Sequence, residues 1–128
     1  MVTLAKMELV EPTSERRVLI VDDDPMAREM LATVLEQEGY TVASATDGRA
    51  ALNQLREHPA TVIVLDMAMP QMNGWAFLAA KAQIPNAAPI PVVVVSGSAP
   101  PRSTRGIVAW LEKPFVFDAL LRVLKPWH

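Results

Sequence analysis

Three separated apolar runs constrain this chain more than any other feature: Val18-Leu19-Ile20-Val21, Thr61-Val62-Ile63-Val64-Leu65 and Val92-Val93-Val94-Val95. Short, continuous and rich in β-branched residues, they suit strands buried on both faces, as in a parallel sheet covered by helices on either side. Each run stops abruptly at polar residues, Asp22-Asp23, Asp66 and Ser96-Gly97. Helical patterns fill the intervals. Asp24-Pro25 reads as an N-cap followed by proline at the first helical position. Ala27, Met30, Leu31, Val34 and Leu35 then make one apolar helical face, which Gly39 closes as a C′ residue.

Two weaker strands complete the pattern, one over Thr41 to Ala45 and one at Ala109-Trp110-Leu111 running to Lys113-Pro114. Further helices are expected over Gly48 to Glu57 and Trp75 to Gln83, and a last one is marked by Phe117, Leu120, Leu121 and Leu124. Alternating strands and helices predict an α/β fold with a five-stranded parallel sheet and helices on both faces. The flavodoxin-like order 2-1-3-4-5 is the natural arrangement. The chain's 128 residues make one domain, expected over 17–128 behind a flexible leader over 1–16.

Composition removes several function classes. With no cysteine and only two histidines, thiolate catalysis, disulfide scaffolds and Cys/His zinc sites are excluded. A formal net charge of −2 offers no basic footprint for nucleic acid or an anionic membrane. No apolar run approaches the roughly 18 residues of a membrane span, and no secretory signal is legible, so a cytoplasmic location is expected.

In an open parallel sheet, ligands bind beyond the carboxyl ends of the strands, where the strand order reverses. Asp22, Asp23, Asp66, Ser96 and Lys113 all belong to that edge. Three carboxylates held together repel unless a cation neutralises them. Oxygen donors without sulfur or imidazole suit Mg²⁺. A lysine and a hydroxyl opposite the ion suit the oxygens of an anion. The set fits a phosphoryl group, with either water or an aspartate as nucleophile.

The segments VLIVDDDP, VIVLDMAMPQMNG, VVVVSG and LEKPF, in this order, resemble the receiver domain of two-component response regulators. The resemblance covers about Arg17 to Lys125. It implies that Asp66 accepts a phosphoryl group, that Asp23 ligates Mg²⁺ directly and Asp22 mostly through water, and that the Ala68 carbonyl is a further ligand. It also implies that Ser96 and Lys113 contact the phosphoryl oxygens and that the Lys113–Pro114 peptide is cis. Ser96 and Trp110 would form the switch: the hydroxyl is drawn inward on phosphorylation and the aromatic side chain follows. The donor would be a phosphohistidine on a histidine kinase or a histidine phosphotransfer protein, and the output an unknown downstream protein. Such a domain is not a turnover enzyme. It contacts neither nucleic acid nor membrane.

Two departures stand out. Pro100-Pro101 follows the fourth strand closely, and the eleven residues from Arg102 to Glu112 leave room for a fourth helix of about two turns at most, or none. Ala68 and Ser98 supply little or nothing to orient an attacking water, which predicts slow to moderate self-hydrolysis. Two other readings remain for this residue set. One is a Mg²⁺-dependent phosphohydrolase, for which the chain lacks substrate-shaping loops. The other is a phosphorylation-independent interaction module.

Overall fold

The computed structural model describes residues 16–69, 72–103 and 106–128. But for Arg16, the expected leader lies outside the described residues. Five strands, β1 (Arg17–Val21), β2 (Thr41–Ala45), β3 (Val62–Asp66), β4 (Val92–Ser96) and β5 (Ile107–Glu112), form one sheet in the order β2-β1-β3-β4-β5. Every pairing is parallel. The helices are α1 (Pro25–Gln37), α2 (Gly48–Glu57), α3 (Gly74–Lys81) and α4 (Phe117–Leu124), with a short 3₁₀ turn over Lys125–Trp127.

Side chains alternate across a strand, so each apolar run feeds two cores. Leu19, Val21, Ile63, Leu65, Val92 and Val94 pack under Leu52 and Leu55 of α2 and Phe77 of α3. Val18, Ile20, Val62, Val64, Val93 and Val95 pack under Leu31 and Leu35 of α1 and Leu120 and Leu124 of α4. Burial of each such side chain contributes about 1.5–3 kcal/mol before the entropy cost of ordering it.

Local signals set the helix ends. The Asp24 carboxylate accepts the Met26 amide at 3.0 Å, and Pro25 opens α1. Gly39 has φ +95°, a conformation open to glycine but strained for residues with a Cβ. Asn73 caps α3 by accepting the Ala76 amide at 2.9 Å. At Gly74 the amide donates to the Met67 carbonyl at 3.0 Å, and a Cβ there would collide with Met67. Backbone contact this close locks the start of α3 against the segment that follows Asp66.

Several elements differ from the sequence expectation. Helix α3 ends at Lys81 rather than Gln83, and turns then carry the chain past Pro85 to β4. Between β4 and β5 no helix is found among the described residues: Ile107 already begins β5, so the segment after Pro100-Pro101 is too short for one. Strand β5 is longer than expected, with six residues. Val92 pairs with Ile107 and Val93 with Ala109, so Val108 bulges out of the ladder and is exposed. Met30 lies on the apolar face of α1 yet is half exposed, because the neighbouring Leu31 and Leu35 take the interior positions. Tyr40 is buried and donates its hydroxyl to the Leu124 carbonyl at 3.0 Å, tying the end of α1 to the end of α4.

Lys81 is buried, and its Nζ donates to the Ala88 carbonyl at 2.9 Å. Burial lowers its pKa below the ordinary lysine value. Between that lowered value and 10.5 the unfolded chain therefore binds more protons than the folded one, so stability rises with pH. Tyr40, whose pKa is raised mainly by burial, works the other way above 10. Comparing Lys81→Met with the parent isolates the lysine. The expected result, read from urea midpoints measured between pH 8 and pH 10, is that the parent gains stability relative to the variant as pH rises.

Candidate phosphoryl and cation site

Register brings the polar strand ends level. Val21 pairs with Leu65, Asp66 with Val95 and Ser96 with Glu112. The residues that follow β1 and β5 therefore stand beside the ends of β3 and β4. The result is one cluster: single carboxylate oxygens of Asp22, Asp23 and Asp66 lie within 4.8 Å of one another. Asp22 and Asp66 are buried, and Asp23 is exposed. Lys113 reaches in from beyond β5, with Nζ 3.6 Å from Asp66 Oδ1.

The backbone holds these groups. Asp22 Oδ1 accepts the Asp24 amide at 2.9 Å, and Asp66 Oδ1 accepts the Ala68 amide at 3.2 Å. Ser96 Oγ accepts the Ser98 amide at 3.1 Å. The Lys113 amide donates to the Ser96 carbonyl at 2.7 Å, and the Lys113–Pro114 peptide is cis. Burial is the main cause that raises the pKa of Asp22 from the ordinary aspartate value. The Asp24 amide opposes the shift, Asp66 reinforces it, Lys113 opposes it and Asp23 reinforces it.

Three carboxylates face one lysine, so the cluster retains an excess of negative charge. All its donor atoms are hard oxygens, and Asp23 leaves one side open to solvent. These residues fit a divalent cation such as Mg²⁺ that keeps several waters. The Ala68 carbonyl belongs to the same loop, directly beyond the Asp66 strand end.

Among the described contacts no hydrogen bond joins Ser96 directly to Trp110. They are linked through Ser98, whose amide bonds Ser96 Oγ while its carbonyl accepts the Trp110 Nε1–H at 2.8 Å. The sequence reading singled out neither of two further neighbours. Arg28 donates from Nη1 to the Asp22 carbonyl at 2.7 Å, and Trp75 faces Trp110 with ring centroids 6.1 Å apart and planes tilted 31°. Arg28 lies six residues after Asp22, at the first turn of α1, close enough in sequence to have been flagged. Nothing in the sequence announced that Trp75 and Trp110 would meet.

An open parallel α/β sheet that gathers three aspartates, a serine and a lysine at its reversal point defines a phosphoryl-handling signalling module. The response regulator receiver domain model matches residues 18–125, and the chain belongs to that family. It is 31% identical to the chemotaxis protein CheY4 of Vibrio cholerae, whose structure superposes with a TM-score of 0.80, covering 88% of this chain and 98% of that one. The response regulator protein TrrA of Thermotoga maritima, determined in complex with Mg²⁺-BeF, is 26% identical with a TM-score of 0.77, covering 88% and 99%. A protein-glutamate methylesterase/protein-glutamine glutaminase of Anaeromyxobacter dehalogenans is 34% identical over 122 residues, covering 85% of this chain and 34% of the methylesterase. The chain spans about a third of the length of several curated relatives it matches. No helix among the described residues is long and apolar enough to cross a membrane.

Proposed function

We propose that this receiver domain, spanning 17–128 behind the leader at 1–16, takes a phosphoryl group onto Asp66 from the phosphohistidine of a histidine kinase or phosphotransfer protein. The observation that carries this reading is the convergence of Asp22, Asp23, Asp66 and Lys113 on one strand-end cluster. Asp66 is the only one of the three acids held both by a lysine and by the backbone amide of the following loop. Its remaining oxygen is the nucleophile. Asp22, Asp23, Asp66 and the Ala68 carbonyl would hold Mg²⁺, which when bound neutralises charge between the attacking carboxylate and the incoming phosphoryl oxygens.

In transfer, an Asp66 oxygen bonds to phosphorus while the phosphorus–nitrogen bond of the donor breaks, and the electron pair leaves with the imidazole. Lys113 and the Ser96 hydroxyl receive the phosphoryl oxygens. The Ser96 hydroxyl can donate to a phosphoryl oxygen while it accepts the Ser98 amide, so movement of the hydroxyl toward the phosphoryl group would pull on the residue that also holds Trp110. Reorganisation at Ser96 is thereby passed to the β4–β5 segment, where a downstream protein would sense it. The phosphoryl group returns to water rather than to a second substrate, so the domain is a switch and not a turnover enzyme. Its setting is cytoplasmic, and its partners are proteins rather than nucleic acid or membrane.

The donor has an apolar surface to use. Met30, half exposed, lines a hollow of about 330 Å³ together with Asp22, Lys113 and Phe117, and Met26 and Val116 are exposed close by in sequence. A helix carrying phosphohistidine would seat its apolar face there, next to the acidic cluster.

Intact mass is the direct test. After incubation with Mg²⁺ and acetyl phosphate, the parent is expected to gain one phosphoryl group and Asp66→Ala none. A folded, Mg²⁺-binding parent that gains nothing from acetyl phosphate or from a phosphorylated kinase would remove the proposal and favour a phosphorylation-independent interaction module.

A further inference from the structure

We infer that Trp75 is a positioning residue that, together with Trp110, shields the phosphorylated site from water and so sets the lifetime of an Asp66 phosphate. This inference rests on the phosphoacceptor reading. A hollow of about 390 Å³ opens beside Ser96, bordered by Ala68, Gly97, Ser98 and the indoles of Trp75 and Trp110. It adjoins the Asp66 pocket, because Ala68 donates its amide to Asp66 and Ser96 ends the strand paired with β3.

Hydrolysis of an acyl phosphate needs a water opposite the Asp66 oxygen. A water–phosphorus bond forms, the bond from phosphorus to the Asp66 oxygen breaks, the electron pair returns to the carboxylate, and the water's proton leaves with inorganic phosphate. Rapid hydrolysis therefore depends on a group that orients the water, or at least on free access for it.

The hollow offers few groups that could orient a water. Ala68 and Gly97 bring no polar side chain. The Ser98 carbonyl is occupied by the Trp110 indole N–H, and its amide by Ser96 Oγ. Besides Ser96, the small Ser98 hydroxyl is the polar side chain that lines the hollow, so access weighs heavily, and the two indoles are the bulkiest groups on the rim. Trp110 is pinned by its hydrogen bond. Trp75 has no such bond among the described contacts and is held by its place at the start of α3, behind the Asn73 cap and the Gly74–Met67 contact.

Trp75 is 46% exposed, so its removal opens the hollow without excavating the core. The test follows the decay of phosphorylated parent, Trp75→Ala and Trp75→Phe by intact mass after acetyl phosphate is removed, with urea unfolding of each in parallel. The expected result is about fivefold faster decay for Trp75→Ala, a change of ~1 kcal/mol in barrier, near-parental decay for Trp75→Phe, and similar urea midpoints for all three. Equal or slower decay in Trp75→Ala would overturn the shielding role while leaving the phosphoacceptor reading intact. Failure of the parent to take up any phosphoryl group would overturn both.

Discussion

Phe77→Ala is expected to destabilise the chain by about 3–5 kcal/mol, a large part of the stability of a domain this size. Phe77 is the largest fully buried side chain among the described residues, and it joins α3 to the sheet within the core shared with Leu52, Leu55, Ile63 and Leu65. Its removal leaves a cavity between α3 and the strands. Function suffers through the same route, since α3 carries Trp75 and its first residue is locked to Met67, next to Asp66. Urea unfolding monitored by circular dichroism measures the loss. A cost below about 1 kcal/mol would mean that α3 docks mainly through its capped start and not through this ring.

Asp22→Asn is expected to separate folding from function. The amide keeps an oxygen to accept the Asp24 N–H, so the turn after β1 survives. It removes a buried charge that faces Asp23 and Asp66. Without Mg²⁺ the variant should therefore unfold at a higher urea concentration than the parent. With Mg²⁺ the order should narrow or reverse, because affinity falls by about 10- to 100-fold when a group that orders the ion's waters is lost. Calorimetric Mg²⁺ titration together with urea unfolding, each with and without the ion, reads both effects. Unchanged affinity would mean that Asp23 and Asp66 suffice for the ion and that Asp22 serves the fold alone.

Much of the architecture was legible in the sequence because parallel strands are buried on both faces and must be apolar throughout. The runs at Val18, Val62 and Val92 therefore announced β1, β3 and β4 almost to the residue. The ends of α1 were equally readable, since Asp24, Pro25 and Gly39 act through their own backbone geometry. The edge strand β5 was less so. It is half-exposed and mixed in character, and its bulge at Val108 is a matter of register with β4. The end of α3 also escaped, because Ala82 and Gln83 favour helix and only the following turns draw them out of it.

The candidate site divides along the same line. Asp22, Asp23, Asp66, Ser96 and Lys113 were identified because each stands where a strand or its following loop must leave the sheet, and a parallel sheet puts all such positions on one edge. The distances among them came from the strand register. The Ser98 link to Trp110 and the approach of Trp75 to Trp110 came instead from the packing of distant segments. These contacts join residues from different elements, and side-chain direction across elements is not a local property of the chain. The sequence by itself determined which strands are buried, where helices begin and which chemical groups gather at the sheet's carboxyl edge, because hydrophobic periodicity and capping act over a few neighbouring residues. Only the tertiary structure decided which of those groups touch and which indoles wall the pocket, because packing between distant segments sets those contacts.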